Sequence, residues 1–394
     1  MNTTDTPNPH DRFLAPFSSF VLTHDQHRAS LKDLSIAFLV WSLNISGGTN
    51  VILEHALYLQ RMGARVTLVH YATETVSNWH PALSALKVLR PSDIVDAEFD
   101  ICVATWWRTA LQLHEIRARA YIYLVQSIES RFFAQSSPRH VPVIEATYSL
   151  GIPIITISKW IQAYLAARHR APSLLCRNGI DKTLFNLIGR TADGSARRRR
   201  LRALVEGPLG VDFKQTELAL QALQPFRDRL EVWLLTSTQT IGHPHADRTI
   251  SRAELAQVPA VMRSCDFLLK LSLVEGMFGP PLEMFHCGGT AITSRVTGCD
   301  EYLVHEHNAL LIDNTSDPAS LRNAIGRIVD DKALLNRLRE NAVATASAWP
   351  SWASSSTEFA SSLLLIHTNR GHFFPSSYNE LRSQLARTDS GIQL

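Results

Sequence analysis

The sequence predicts an α/β protein built from two doubly wound parallel-sheet domains that face each other across a cleft. Three observations carry that expectation. Short apolar runs such as LSIAFLVW (34–41) alternate with helical patterns such as VILEHALYLQRMG (51–63) along most of the chain. No hairpin signal joins successive apolar runs, so the strands are connected by crossovers and run parallel. The chain has 394 residues, enough for two separate cores.

Residues 1–30 are polar and proline-containing, and read as an N-terminal arm. Residues 31–182 read as the first domain. The strand at 34–41, the loop SLNISGGTN, the helix ending at Gly63 and the strand ARVTLVHY make a βαβ unit. DICVAT (100–105), a helix near 108–118, the strand AYIYLVQ, the strand IPIITIS and the helix KWIQAYLAARH continue the alternation. Residues 183–200 lose periodicity and end in a run of arginines, Arg197 to Arg200, which suits a solvated linker. Residues 201–350 read as the second domain. Its strands are LRALVEG, EVWLLTS, FLLKLSL, TAITS and NALLID; QTELALQALQPF, RAELAQVPAVMRS and two segments from Asp317 to about Ala346 are its helices. Residues 351–394 form a tail, helical at first, that can return to the first domain.

The composition is that of an ordinary soluble protein, with 45% hydrophobic and 19% charged residues. A formal charge of +3 is too small to indicate nucleic acid. Cys102, Cys176, Cys265, Cys287 and Cys299 are scattered without a CxxC pair, which reads as reduced thiols. With no apolar leader and no run of eighteen apolar residues, the expected location is cytoplasmic. Peripheral contact with the inner membrane remains open, because the arginine run also suits an anionic surface.

The chemistry concentrates in EGMFGPPLE (275–283). Glu275 lies past the carboxyl end of a buried strand, where open α/β sheets bind ligands. Gly276 and Gly279 allow a tight turn, and Pro281 suits the first turn of a helix running to about Cys287. Such a helix end offers free N–H groups to a phosphate, and Glu283 can accept from sugar hydroxyls. The bland alternative is a solvated strand-end acid at Glu275 and a helix-dipole acid at Glu283.

The stretch CDFLLKLSLVEGMFGPPLEMFHCGGTAITSRVTGCDEYLVHEHNALLI resembles the donor-site signature of retaining family 4 glycosyltransferases with the GT-B fold, two Rossmann-like domains facing a cleft. There the paired glutamates precede a Cys-Gly, a strand, a Gly-x-x-Glu and an Asn-Gly-like turn; here Cys287-Gly288, Gly298 to Glu301 and Asn308 stand in those places. Residues 47–69 resemble the family's Gly-Gly loop and helix, and RNGID (177–181) its domain junction. YLVQSIESRFF and ATYSLG are similar to a subgroup of bacterial polysaccharide transferases that includes rhamnosyl- and mannosyltransferases. The resemblance spans roughly residues 34–350.

That resemblance implies roles. Glu275 would hold hydroxyls of the transferred sugar and Glu283 the ribose, with the amides of Gly276, Met277, Phe278 and Gly279 along sugar and diphosphate. Lys214 matches the family lysine, and with Glu275 it would form the catalytic pair. The usual Gly-Arg reads Gly207-Pro208, so a further cation is needed, with Arg177, next to Asn178, or Arg295 as candidates. On the acceptor side stand Gly47, Gly48, Gln126, Glu129 and the pair Trp106 and Trp107, either sugar platform or core; Tyr148 has either role too. The implied activity is retaining transfer of a hexose, of rhamnose or mannose type, from a nucleoside diphosphate sugar to a saccharide or lipid-linked saccharide acceptor, in cell-surface polysaccharide or O-antigen assembly. No Asp-x-Asp occurs, so no cofactor and no metal are expected. His243 and His245 lack a third ligand and read as a solvated loop. A glycosidase using the two acids, a sugar-nucleotide epimerase and a non-catalytic nucleotide-sugar-binding subunit are the rival readings.

Overall fold

The computed structural model describes residues 29–194, 200–369, 378–380 and 383. The expectations for residues 1–28, Arg197 to Arg199 and most of the tail beyond 369 lie outside the described residues.

In the first domain the elements are β1 (Ser35–Val40), α1 (Gly47–Arg61), β2 (Arg65–His70), α2 (Ala82–Ala85), β3 (Lys87–Leu89), β4 (Glu98–Ala104), α3 (Trp107–Gln112), β5 (Arg117–Val125), α4 (Ser130–Phe133), α5 (Val141–Thr147), β6 (Ile154–Thr156), α6 (Lys159–His169) and β7 (Ser173–Leu175). They form one seven-stranded sheet in the order β3-β2-β1-β4-β5-β6-β7. Every named pairing is parallel, as in β1 on β2 and β4 on β5. Helices cover both faces, which is why the central strands are nearly continuous apolar runs. The order reverses between β1 and β4, with Leu39 opposite Ala104.

The second domain comprises β8 (Leu201–Glu206), α7 (Thr216–Ala222), β9 (Leu230–Thr236), β10 (Arg248–Ser251), α8 (Val258–Arg263), β11 (Phe267–Lys270), α9 (Gly279–His286), β12 (Thr290–Ser294), β13 (Ala309–Ile312), α10 (Pro318–Asp330) and α11 (Lys332–Ala348). Its six parallel strands run β10-β9-β8-β11-β12-β13, reversing between β8 and β11. Residues 183–194 pack on this domain, where the Arg263 guanidinium donates to the carbonyls of Leu184 and Asn186.

α12 (Trp352–Thr368) lies back on α1 and the first sheet. His55 joins them: its Nδ1 meets Ser356 Oγ at 2.9 Å and its ring stacks on Phe359, centroids 4.2 Å apart. Burial pushes its pKa down to about 3, so it is a neutral core histidine.

Several expectations are corrected. Gly47 and Gly48 are the first turn of α1, not a loop; Ser46 caps that helix by accepting from the Thr49 amide at 3.1 Å. The helix expected at 108–118 is shorter, because β5 begins at Arg117 to pair with Glu98 of β4. The short strands β3, β7 and β10 were hidden, since edge strands of three or four residues leave no periodic signal. RTIS, just past the His243 and His245 loop, is the edge strand β10 beside β9.

Candidate active site

The order reversal in the second sheet opens a crevice at the carboxyl ends of β8 and β11. The loops leaving those strands carry Lys214 and Glu275, and Lys214 Nζ donates to Glu275 Oε1 at 2.8 Å. Glu275 is 8% exposed, which rules out the solvated-acid alternative. Burial alone would raise its pKa, but Lys214 and Lys270 outweigh burial and hold it below the usual carboxylate range.

Lys270, at the end of β11, was not singled out from the sequence. The register sets Leu269 opposite Val205, which brings Lys270 to Glu206. Lys270 Nζ donates to Glu206 Oε2 at 2.5 Å and to the Glu206 carbonyl at 3.1 Å, and the residue is 3% exposed. Burial works against its charge, yet Glu206, Glu275 and Glu283 together raise its pKa. A lysine inside the apolar run FLLKLSL was the available signal. Gly207 is required beside it: its φ is +150°, and a Cβ would stand 2.6 Å from Thr216 Oγ1 and 3.7 Å from Lys270 Nζ. Thr216 Oγ1 is buried and finds no partner among the described residues. The other cations considered are already committed. Arg177 Nε bonds Glu301 Oε2 at 3.1 Å, and Arg295 pairs with Asp313.

α9 starts at Gly279, two residues earlier than expected, so Pro280 and Pro281 both fall in its first turn. Prolines carry no N–H, which removes two of the donors that a phosphate-facing helix end would present. The cations therefore matter more here than the helix end. Glu283 is half-buried at its surface but set deep in the crevice; desolvation and Glu206 push its pKa up to about 7 against the pull of Lys270.

The turn between Glu275 and α9 is clamped to the first domain. The Gly276 carbonyl accepts from Ser158 Oγ at 3.0 Å and from Trp160 Nε1 at 2.5 Å. A Cβ on Gly276 would overlap the Gln126 carbonyl, so only glycine fits. Asn178 Nδ2 donates to Met277 Sδ at 3.6 Å, and Tyr302 donates to the Phe278 carbonyl. Glu301 ties Arg177 to the Lys159 amide, accepting the latter at 2.5 Å. Arg177 and Asn178 thus brace the turn.

On the opposite wall, Gln126 lies between the two domains: a Cβ on Gly48 would sit 3.6 Å from its Oε1, which has no partner among the described residues. Gly47 has open space beside it. Trp106 is partly exposed and stacks on Phe132, which stacks on Phe213 of the second domain. Trp107 and Glu129 do not line the cleft: Trp107 takes the core alternative, and Glu129 departs from the acceptor-side place expected of it. Trp107 is fully buried, and Glu129 accepts from the Trp107 amide at 2.7 Å and the Tyr123 hydroxyl at 3.2 Å. Burial raises the Glu129 pKa to about 8, making it a structural carboxylic acid at neutral pH. Tyr148 takes the fold role, with its hydroxyl accepting from the Glu129 amide.

The five cysteines are free and buried. Among the described residues no helix is long and apolar enough to cross a membrane, and no group of three His, Cys, Asp or Glu is placed to hold a metal ion.

Residues 247–345, which contain this glutamate pair, match the family model for glycosyl transferases group 1. The two parallel-sheet, Rossmann-like domains have the architecture of the GT-B fold. The chain is 27% identical over 271 residues to the O-antigen biosynthesis protein RfbC of Myxococcus xanthus; the match takes in 66% of the chain and spans 20% of that relative's own length. Its structure is similar to a sucrose-phosphate synthase from Thermosynechococcus elongatus, with TM-score 0.68 and 16% identity over 90% of this chain and 100% of that one. It is also similar to Anabaena HepE in complex with UDP-glucose, with TM-score 0.67 and 16% identity over 90% and 100% of the two chains.

Proposed function

We propose that the chain transfers a hexose, of rhamnose or mannose type, from a nucleoside diphosphate sugar to a saccharide or lipid-linked saccharide acceptor with retention, in cell-surface polysaccharide assembly. The Lys214–Glu275 ion pair at the switch crevice, with its glutamate buried and the turn after it clamped against the first domain, carries this reading. UDP-glucose in HepE and O-antigen synthesis in RfbC support the donor class and the setting.

Lys214 and Lys270 supply positive charge where the leaving diphosphate would develop negative charge, the largest contribution such a site makes. Glu275, ionised, accepts hydroxyls of the hexose; Glu283 meets the ribose. As the bond from the anomeric carbon to the diphosphate breaks, the acceptor oxygen bonds that carbon. The acceptor proton passes to a diphosphate oxygen, so no protein nucleophile is needed. The two lysines serve in place of a metal ion in this reading. Location at the cytoplasmic membrane face would suit a lipid-linked acceptor.

A thermal-unfolding screen against GDP, UDP, TDP and ADP tests the donor class. A ligand at 100 times its dissociation constant stabilises by about 2.7 kcal/mol. With the matching sugar nucleotide, release of the diphosphate should require acceptor. Absence of stabilisation by all four would overturn the reading.

A further inference from the structure

The crevice of the first sheet, between β1 and β4, holds a cation that the reading above does not use. Arg108, in the first turn of α3 after β4, places its guanidinium over the Trp41 ring at 4.7 Å and over the Trp107 ring at 5.1 Å. Trp41 follows β1 directly and stacks on Tyr71, which follows β2, at 6.2 Å and 9° between planes. Tyr71, Trp41, Arg108 and Trp107 thus form one layered stack at the carboxyl edge of the sheet, where doubly wound sheets bind their ligands.

Arg108 is half-buried and makes no hydrogen bond or ion pair with any described residue. Other arginines of the chain behave differently: Arg177, Arg202, Arg227, Arg229, Arg295 and Arg327 each pair with a carboxylate. A guanidinium held over two rings, with no hydrogen bond to a described residue, is available for a planar, two-point contact with an oxyanion. Desolvation without a nearby anion lowers its pKa, consistent with an open counter-charge. The stack also connects with the reaction centre. Trp106, next to it in the chain, stacks on Phe132 at 6.1 Å, Phe132 on Phe213 at 5.1 Å, and Lys214 Nζ lies 5.5 Å from the Phe213 ring centroid.

We propose that Arg108, held between Trp41 and Trp107, is the acceptor-binding residue that recognises an anionic group, a carboxylate or a phosphate, on the incoming saccharide. This rests on the glycosyl-transfer reading, and it names the acceptor chemistry that reading leaves open. The partly exposed Trp106 would carry a sugar ring while Arg108 fixes the acceptor's register against Glu275 across the cleft.

The test measures binding of glucose, glucuronate and glucose 6-phosphate to the full chain by saturation-transfer NMR, with nucleoside diphosphate affinity measured alongside. The wild-type protein should prefer at least one anionic sugar over glucose by about tenfold, the scale of one charge-assisted hydrogen bond. Whichever anion is preferred identifies the group. Arg108→Met should erase the preference, and Arg108→Lys, which keeps charge but not the two-point fork, should retain part of it. Equal binding of all three sugars, no binding of any, or a preference that survives in Arg108→Met overturns the proposal. If no nucleoside diphosphate binds while the Arg108-dependent preference persists, the donor reading falls and the anion site stands.

Discussion

Glu275→Gln gives the sharpest test of the site, because the ion pair predicts opposite signs for binding and turnover. In the free protein Glu275 holds Lys214 at 2.8 Å. The amide removes that attraction and also removes a negative charge from the approach of the diphosphate. A charge-assisted hydrogen bond is worth about 1.5–3 kcal/mol. Lys214 is 22% exposed and Glu275 10% by side chain, so solvent screening favours the lower value. Affinity for the bare nucleoside diphosphate should therefore rise, by about tenfold. Turnover should fall, by about a hundredfold, since the hexose loses the carboxylate that orients its anomeric carbon. Calorimetry of nucleotide binding and a product-release assay measure the two quantities. If both fall together the variant has only damaged the fold, and wild-type turnover would show that Glu275 is not part of the reaction centre.

Lys270→Met strands Glu206 in the crevice and should weaken nucleoside diphosphate binding by at least tenfold in calorimetry; unchanged affinity would reduce Lys270 to a structural ion pair. Glu283, with its pKa at about 7, accepts ribose hydroxyls best when ionised, so nucleotide affinity should rise with pH through that value. Glu283→Gln should match wild type near pH 6, fall behind it at pH 8, and show a flat profile. Treatment with EDTA should leave turnover intact; complete loss restored by magnesium would show that the two lysines do not replace a metal. His55 is neutral when folded, with its pKa depressed to about 3 against 6.5 unfolded. Its stabilising contribution is full above pH 6.5 and falls as the pH drops toward 3, by an amount of order 5 kcal/mol. Acid unfolding of His55→Gln should be shallower across that window.

The strand–helix alternation determined the architecture because a parallel sheet covered on both faces demands continuous apolar strands and long crossovers, and both are local signals in the chain. FLLKLSL and IPIITIS declare buried strands, and KWIQAYLAARH declares a helix found at Lys159–His169. Glu275, Glu283 and the glycines between them were legible for the same reason, since a turn dense in Gly and Pro between two acids is improbable as core. What needed the tertiary structure was every property that depends on pairing across the chain. Edge strands of three or four residues exist only through their neighbours. The prolines of α9 changed meaning once the helix was seen to begin at Gly279. Trp106 and Trp107 are adjacent in sequence, yet one is partly exposed and the other in the core, because Trp106 is the extended N-cap residue and Trp107 the first residue of the helix. Lys270 and Glu206 lie sixty-four residues apart and become one ion pair only through the register of β8 and β11. Arg108 is one arginine among many in the sequence; the stack of Trp41 and Trp107 around it, and the empty place opposite it among the described carboxylates, arise only when β1 and β4 stand side by side.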